Sequence, residues 1–252
     1  IIRNKYGEIS KNPTIPLGEV RKNKFNTDWN NIKIPQIPFI GARLIENISL
    51  SELTKYIDWT FFFISWDIPR KYPKVLDDER YGEAAKELYE DAQVILRRIV
   101  KENIFTVNIS YGFWPANSEG DDIILYSDES KENEEVRFNM LRQQIDRRGS
   151  KYCCLSDFIA PIESKIDDSI GLFSVTAGIG ADIFANTFKK EGDDYNAIMV
   201  RLLADRLAEA SAEWLHSRVR NEWGFPDSEE ISATQILNEE YRSIRPAFGY
   251  PA

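Results

Sequence analysis

The sequence predicts a mixed α+β protein with helices at both ends of a central group of strands. Three observations carry that reading. Residues 80–101 repeat apolar side chains at helical spacing (Ala84, Leu88, Ala92, Ile95, Ile99), and a longer helical pattern runs from Asp193 to Trp223. Between them, residues 105–113 alternate (Val107, Ile109, Tyr111, Phe113), and Asp122–Tyr126 is a second β-rich run.

Taken in chain order, residues 1–40 are expected to be an extended arm, punctuated by Pro13, Pro16, Pro35 and Pro38 and showing neither period. Its apolar residues (Ile15, Phe25, Trp29, Ile34, Ile37) suit a strap on a surface better than free disorder. The domain proper is expected to occupy 41–252. A helix should begin near Ser49 or Ser51, with Glu52 in its first turn and Leu53, Tyr56 and Ile57 on one face. The Asn117–Asp121 stretch reads as a turn joining the two strong strands into an antiparallel pair, and Gly112–Asp122 by itself reads as a hairpin loop. Leu155–Ile159 and Ile170–Thr176 are weaker strand candidates. In the last helix, Asp193 or Asp194 caps, and Tyr195, Met199, Leu202, Leu203, Leu207, Ala210 and Trp214 form the buried stripe. Gly224 and Pro226 end it.

The bulk numbers narrow the function classes. A chain of 252 residues makes one large domain or two small ones, and 42% apolar with 29% charged residues is ordinary for a globular protein. A net charge of −9 argues against nucleic acid, whose binding needs a basic face. The longest apolar candidate, Ile57–Ile68, is interrupted by Asp58 and Asp67, short of the roughly 20 residues that cross a bilayer. The start, IIRNKYGEIS, lacks the signal-peptide pattern and a Met, so a processed product or an excised piece is expected. Cys153 and Cys154 are adjacent with no other cysteine to pair with, which suits buried thiols in a reducing cytosol. A single histidine, His216, argues against a zinc site.

Four segments are chemically denser than a fold requires. In Tyr56-Ile57-Asp58-Trp59-Thr60-Phe61-Phe62-Phe63 one acid sits among aromatics; a buried carboxylate needs a partner, so Asp58 is a helix cap, half of an ion pair, or a site residue. Gly112-Phe113-Trp114-Pro115-Ala116-Asn117-Ser118-Glu119-Gly120-Asp121-Asp122 is the second. The third is Gly192-Asp193-Asp194-Tyr195 leading to Ala204-Asp205-Arg206-Leu207-Ala208-Glu209-Ala210, where Asp205 and Glu209 share a helix face as ordinary surface charges would. The fourth, Ile244-Arg245-Pro246-Ala247-Phe248-Gly249-Tyr250-Pro251-Ala252, is a stiff loop presenting backbone amides and one guanidinium, suited to a small carboxylate.

In order and spacing these segments resemble the activation domain of cobalamin-dependent methionine synthase, from about Asp28 to Ala252. The resemblance rests on Ile57-Asp58-Trp59-Thr60 with Phe62-Phe63, Pro115-Ala116-Asn117 with Gly120-Asp121-Asp122-Ile123, Asp193-Asp194-Tyr195 through Glu209-Ala210, and Arg245-Pro246-Ala247 with Gly249-Tyr250-Pro251-Ala252. It implies a helmet-like fold, a bent central antiparallel sheet with flanking helices, that binds S-adenosylmethionine. It also implies a role: when the enzyme's cob(I)alamin is oxidised to cob(II)alamin, the module supplies the methyl group and a flavodoxin-like reductase the electron. Cobalamin itself would be bound by a neighbouring domain of the same enzyme. The expected binding residues are Asp58, Glu209 and Arg245, converging on one concave surface, with Ala247, Gly249 and Tyr250 on the Arg245 loop. Trp59 is a candidate cation–π partner for the sulfonium, or a core residue. No catalytic acid, base or metal is expected, because the corrinoid carries the hard step.

Members of that family continue past the point where this chain stops. The resemblance therefore implies a domain truncated at its C-terminal end, and weaker S-adenosylmethionine binding by this piece than by a longer one. The arm over 1–40 resembles the linker that follows the cobalamin domain. Flavodoxins are acidic, as is this chain, so docking would need a local basic patch, for which Arg70, Lys71 and Lys74 are the candidates. Two other functions are compatible with the same residues: a free-standing reactivation partner of another corrinoid methyltransferase, and a docking module that binds no ligand.

Overall fold

The structure, a computed structural model, describes residues 14–146, 149–226, 231, 235–236 and 240–246. The chain divides into two compact units: one holds 42–111 and 173–243, the other 1–41, 112–172 and 244–252.

The first unit is mainly helical. A short helix α1, Leu17–Lys22, lies in the other unit; here the chain makes β1 (Gly41–Ile45), α2 (Leu50–Leu53), α3 (Trp59–Ile64) and α4 (Gly82–Lys101). The start of α4 is set by Asp78, whose carboxylate accepts from the Arg80 and Tyr81 amides at 3.0 and 3.1 Å. Its buried stripe is Ala85, Leu88, Ala92, Ile95, Leu96 and Ile99. Ala84 is exposed and Ala85 takes its place: both lie one turn before Leu88, and the helix turns Ala85 inward. After the strands come α5 (Ala181–Lys190) and the long α6 (Asp194–Glu222). Gly180 admits the chain to α5 at φ +95°, where a Cβ would lie 2.4 Å from the Ile104 carbonyl oxygen, so only glycine fits.

Asp193 caps α6, its Oδ1 accepting from the Asn196 amide at 2.9 Å, and Gly224 leaves the helix in the left-handed region. Met199, Leu203, Leu207 and Ala210 are fully buried against Leu53, Phe62, Phe63 and Val75. Tyr195 departs from the expected stripe: it is 40% exposed and donates its hydroxyl proton to Asp91 at 2.8 Å. That phenol needs a polar partner, so the ring stays at the rim, tilted against Trp66 at 5.2 Å. Leu202 and Trp214 are half-buried at the edge of the stripe.

The remaining strands are β2 (Thr106–Glu119), β3 (Asp122–Tyr126), β4 (Glu134–Asn139) and β5 (Asp168–Ile179); the sheet order is β1-β2-β3-β4, with β5 also on β2. β2–β3 and β3–β4 are antiparallel, and Glu119 faces Asp122, so the hairpin turn is only Gly120-Asp121. Residues 112–119 are therefore strand and not loop, which corrects the hairpin-loop reading. Pro115 is tolerated inside it, and Ser118 donates its amide to the Ala160 carbonyl. Leu155–Phe158 is a 3-10 turn instead of a strand, closed by the Asp157 amide on the Cys154 carbonyl.

In the sheet unit the arm from residue 14 onward is bonded to its neighbours. The Ile15 amide reaches the Gln144 carbonyl at 2.9 Å, Lys24 bridges to Tyr152, Phe25 stacks on Phe158 at 5.3 Å, and Val20 is fully buried. Gly112 is demanded by close approach, since a Cβ there would lie 2.1 Å from the Gly41 carbonyl oxygen.

Candidate functional site

Asp58 opens α3. Its Oδ1 accepts from the Thr60 amide at 2.8 Å, the side chain is half-buried, and it is the N-cap of the helix. One of the readings left open by sequence, a cap, is thus met; a carboxylate with two oxygens keeps acceptor capacity beyond that bond. Trp59 is a core residue. It is 8% exposed and meets Phe62 and Tyr89 edge-on at 5.2 and 4.8 Å.

Glu209 is exposed on α6, while its neighbours Leu207 and Ala210 are fully buried. Helices α3 and α6 pack together, and the Arg206 guanidinium lies 5.7 Å from the centre of the Phe61 ring. Arg206 and Glu209 are one turn apart on the same face. The structure thus packs the helix that Asp58 caps against the helix that carries Glu209, with Arg206 over Phe61 between them. Arg245 is half-buried and belongs to the segment from residue 244 onward in the sheet unit. Ala247, Gly249 and Tyr250 lie outside the described residues.

A cluster that sequence reasoning passed over sits near the C-terminal end of α6. His216 meets the Tyr241 ring edge-on at 4.9 Å, its Nε2 is 2.9 Å from the Ser243 hydroxyl, and its Nδ1 is 3.1 Å from an Arg220 guanidinium nitrogen. Arg220 also covers the Tyr241 ring at 4.3 Å. The one signal in sequence was that the chain has a single histidine. Nearby, burial and the Glu52 carboxylate push the Tyr56 phenol up, against a smaller opposite pull from Arg220.

The second dense motif has a structural job within the sheet unit. Asp121 accepts from Arg142 and Arg21, and Asn117 donates to the carbonyls of Ala160 and Ile166 while accepting from Lys131 at 2.7 Å. Among the described residues no group of three or more His, Cys, Asp or Glu side chains is arranged to hold a metal ion, and both cysteines are free thiols. Among the described residues no helix is long and apolar enough to cross a membrane. A shallow depression of about 350 Å³, lined by Ile183, Asn186, Lys189 and Lys190, contains none of the expected binding residues.

The helices and the sheet order define an α+β protein. Residues 49–252 match the family described as vitamin B12 dependent methionine synthase, activation domain. The chain belongs to that family. Among solved structures it is similar to the "Crystal Structure of the MetH Reactivation Domain bound to AdoHcy", with 42% sequence identity and a TM-score of 0.85 over 94% of this chain and 73% of that one. The antiparallel sheet with flanking helices is the fold of that reactivation domain, as the sequence resemblance implied. What matches is an activation domain of methionine synthase, and neither a free-standing partner of another corrinoid enzyme nor a ligandless docking module is favoured.

Proposed function

We propose that this chain binds S-adenosylmethionine and presents its methyl group for reductive methylation of inactive cob(II)alamin, as the methyltransferase module of a cobalamin-dependent methionine synthase. The observation that carries the reading is the 42% identity, across 94% of this chain, to a reactivation domain bound to AdoHcy. AdoHcy is what S-adenosylmethionine becomes when its methyl group leaves, so a framework suited to one suits the other. When bound, the sulfonium supplies an activated methyl group. The work of the protein is to bind and orient it, and no acid, base or metal is assigned a chemical step.

In this reading Asp58 and Glu209 are acceptors for the cationic end of the ligand and Arg245 is the donor to its carboxylate, a pairing favoured by charge-assisted hydrogen bonds. Ala247, Gly249 and Tyr250 offer backbone and ring contacts on the same loop. The donor set fits the ligand: an exposed Glu209, a half-buried Asp58 and a guanidinium are what an ammonium, a sulfonium and a carboxylate require. The proposed partners are a cobalamin-binding domain joined through the 1–40 arm and a flavodoxin-like reductase. No nucleic acid or membrane is involved, and the free thiols suit a cytoplasmic location.

The test separates capping from binding. Asn is as good an N-cap as Asp, so Asp58→Asn keeps the helix start and removes the charge. We expect unchanged thermal stability and AdoHcy affinity lowered about tenfold or more, measured by calorimetric or NMR titration suited to weak binding. Asp58→Ala should in addition lose about 1 kcal/mol of stability. If Asp58→Asn binds AdoHcy as tightly as the parent chain, Asp58 is a helix cap and nothing more.

A further inference from the structure

Resting on the proposed ligand role of Arg245, we infer that His216, with Arg220 and Tyr241, is a positioning device for that arginine, acting in one tautomer of the imidazole. Ser243 stands two residues before Arg245, and two residues of chain span at most about 7 Å. Whatever fixes Ser243 therefore limits where the Arg245 backbone begins.

Ser243 is held in an unusual state. Its φ is +94°, a conformation that residues with side chains rarely adopt and that persists only when surrounding contacts hold it. The His216 Nε2 lies 2.9 Å from its hydroxyl, and two residues earlier the Tyr241 ring meets the His216 ring edge-on and lies under the Arg220 guanidinium. Arg220 is 3% exposed, so the clamp is built on a buried base.

The chemistry of Arg220 selects the tautomer. A guanidinium only donates, so at 3.1 Å the Nδ1 of His216 accepts and carries no proton. The ring proton then lies on Nε2, which donates to the Ser243 hydroxyl oxygen. Protonation of Nδ1 would turn an N–H toward a guanidinium N–H and break the base of the clamp. His216 touches no expected ligand atom; its effect passes through Ser243 to Arg245.

Because the chain has a single histidine, ring-labelled NMR spectra report His216 alone. At neutral pH the expected signature is a neutral ring protonated on Nε2; an Nδ1–H or doubly protonated ring would overturn the assignment. Affinity for AdoHcy and for its decarboxylated analogue, which lacks only the group that Arg245 would bind, supplies the functional readout. Tyr241→Phe keeps the ring and should bind AdoHcy as the parent does. Tyr241→Ala and His216→Phe should lose about tenfold for AdoHcy and leave the analogue unchanged, with circular dichroism verifying that both variants fold. Equal losses for both ligands, or no loss for either, would refute the positioning role. The underlying reading fails separately: if Arg245→Met in the otherwise unaltered chain does not discriminate between the two ligands, Arg245 is not the carboxylate partner.

Discussion

A guanidinium with no exposed surface is tolerable only when its donors are fully used, and Arg142 meets that condition. It pairs with both oxygens of Asp157 at 2.8 Å, with Asp121 Oδ1 at 2.7 and 2.9 Å, and with the Tyr152 carbonyl at 2.7 Å. Burial alone would favour the neutral form, but the two carboxylates reverse that and raise its pKa. Burial likewise pushes the Asp121 carboxyl up, and hydrogen bonds from Arg142 and Arg21 outweigh it and hold it below the usual carboxylate value. Removing one partner strands the others, so Arg142→Met should cost about 3–5 kcal/mol in denaturant unfolding. The pH dependence has a definite sign. A carboxyl with a depressed folded pKa stabilises above its unfolded value, near 4, and that contribution fades as pH falls through the folded value. Unfolding curves of Asp121→Asn should therefore be lower than the parent at pH 7 and converge with it on acidification below about pH 4.

At the scale of elements, α6 is the mast of the helical unit. Leu203 and Leu207 are fully buried, and truncating either to Ala should cost about 2–5 kcal/mol by chemical denaturation. Gly112→Ala should be harmful for a different reason, since the new methyl would drive into the Gly41 carbonyl and part the backbones of residues 41 and 112. The helices were legible in sequence because one face of each is buried and the other wet, which leaves a period in the residues. β2 was legible only through Phe113. From Tyr111 to Ser118 nearly every residue is buried on whichever face it points to, so alternation vanishes and Pro115-Ala116-Asn117 reads as loop. β4 escaped notice for the opposite reason: Glu134–Asn139 is almost wholly exposed at the end of the sheet order, with charges where a pattern would be. Asp58, Glu209 and Arg245 stood out through resemblance, whereas the His216 cluster joins residues 27 apart and had no local pattern to betray it.

For the whole molecule, the net charge of −9 would set the rules of encounter with the proposed acidic reductase: overall repulsion, relieved only locally. Of the three cations proposed for docking, Arg70 is engaged by Asp78 at 2.9 Å, while Lys71 and Lys74 are exposed. Lys71→Glu should slow reductive activation at low salt, with the difference shrinking as salt is added and AdoHcy affinity unaltered. An unchanged rate and salt response would remove the patch from the docking surface.

The division of the chain carries a lesson for anyone who would dissect it genetically. The path changes unit at Gly41, Tyr111, Leu172 and Ser243, so neither unit is written as one uninterrupted stretch of code. No pair of stop and start codons can release either half intact, and a deletion meant for one removes strand from the other. Recombination at any point between residues 41 and 243 would part segments that belong to one unit.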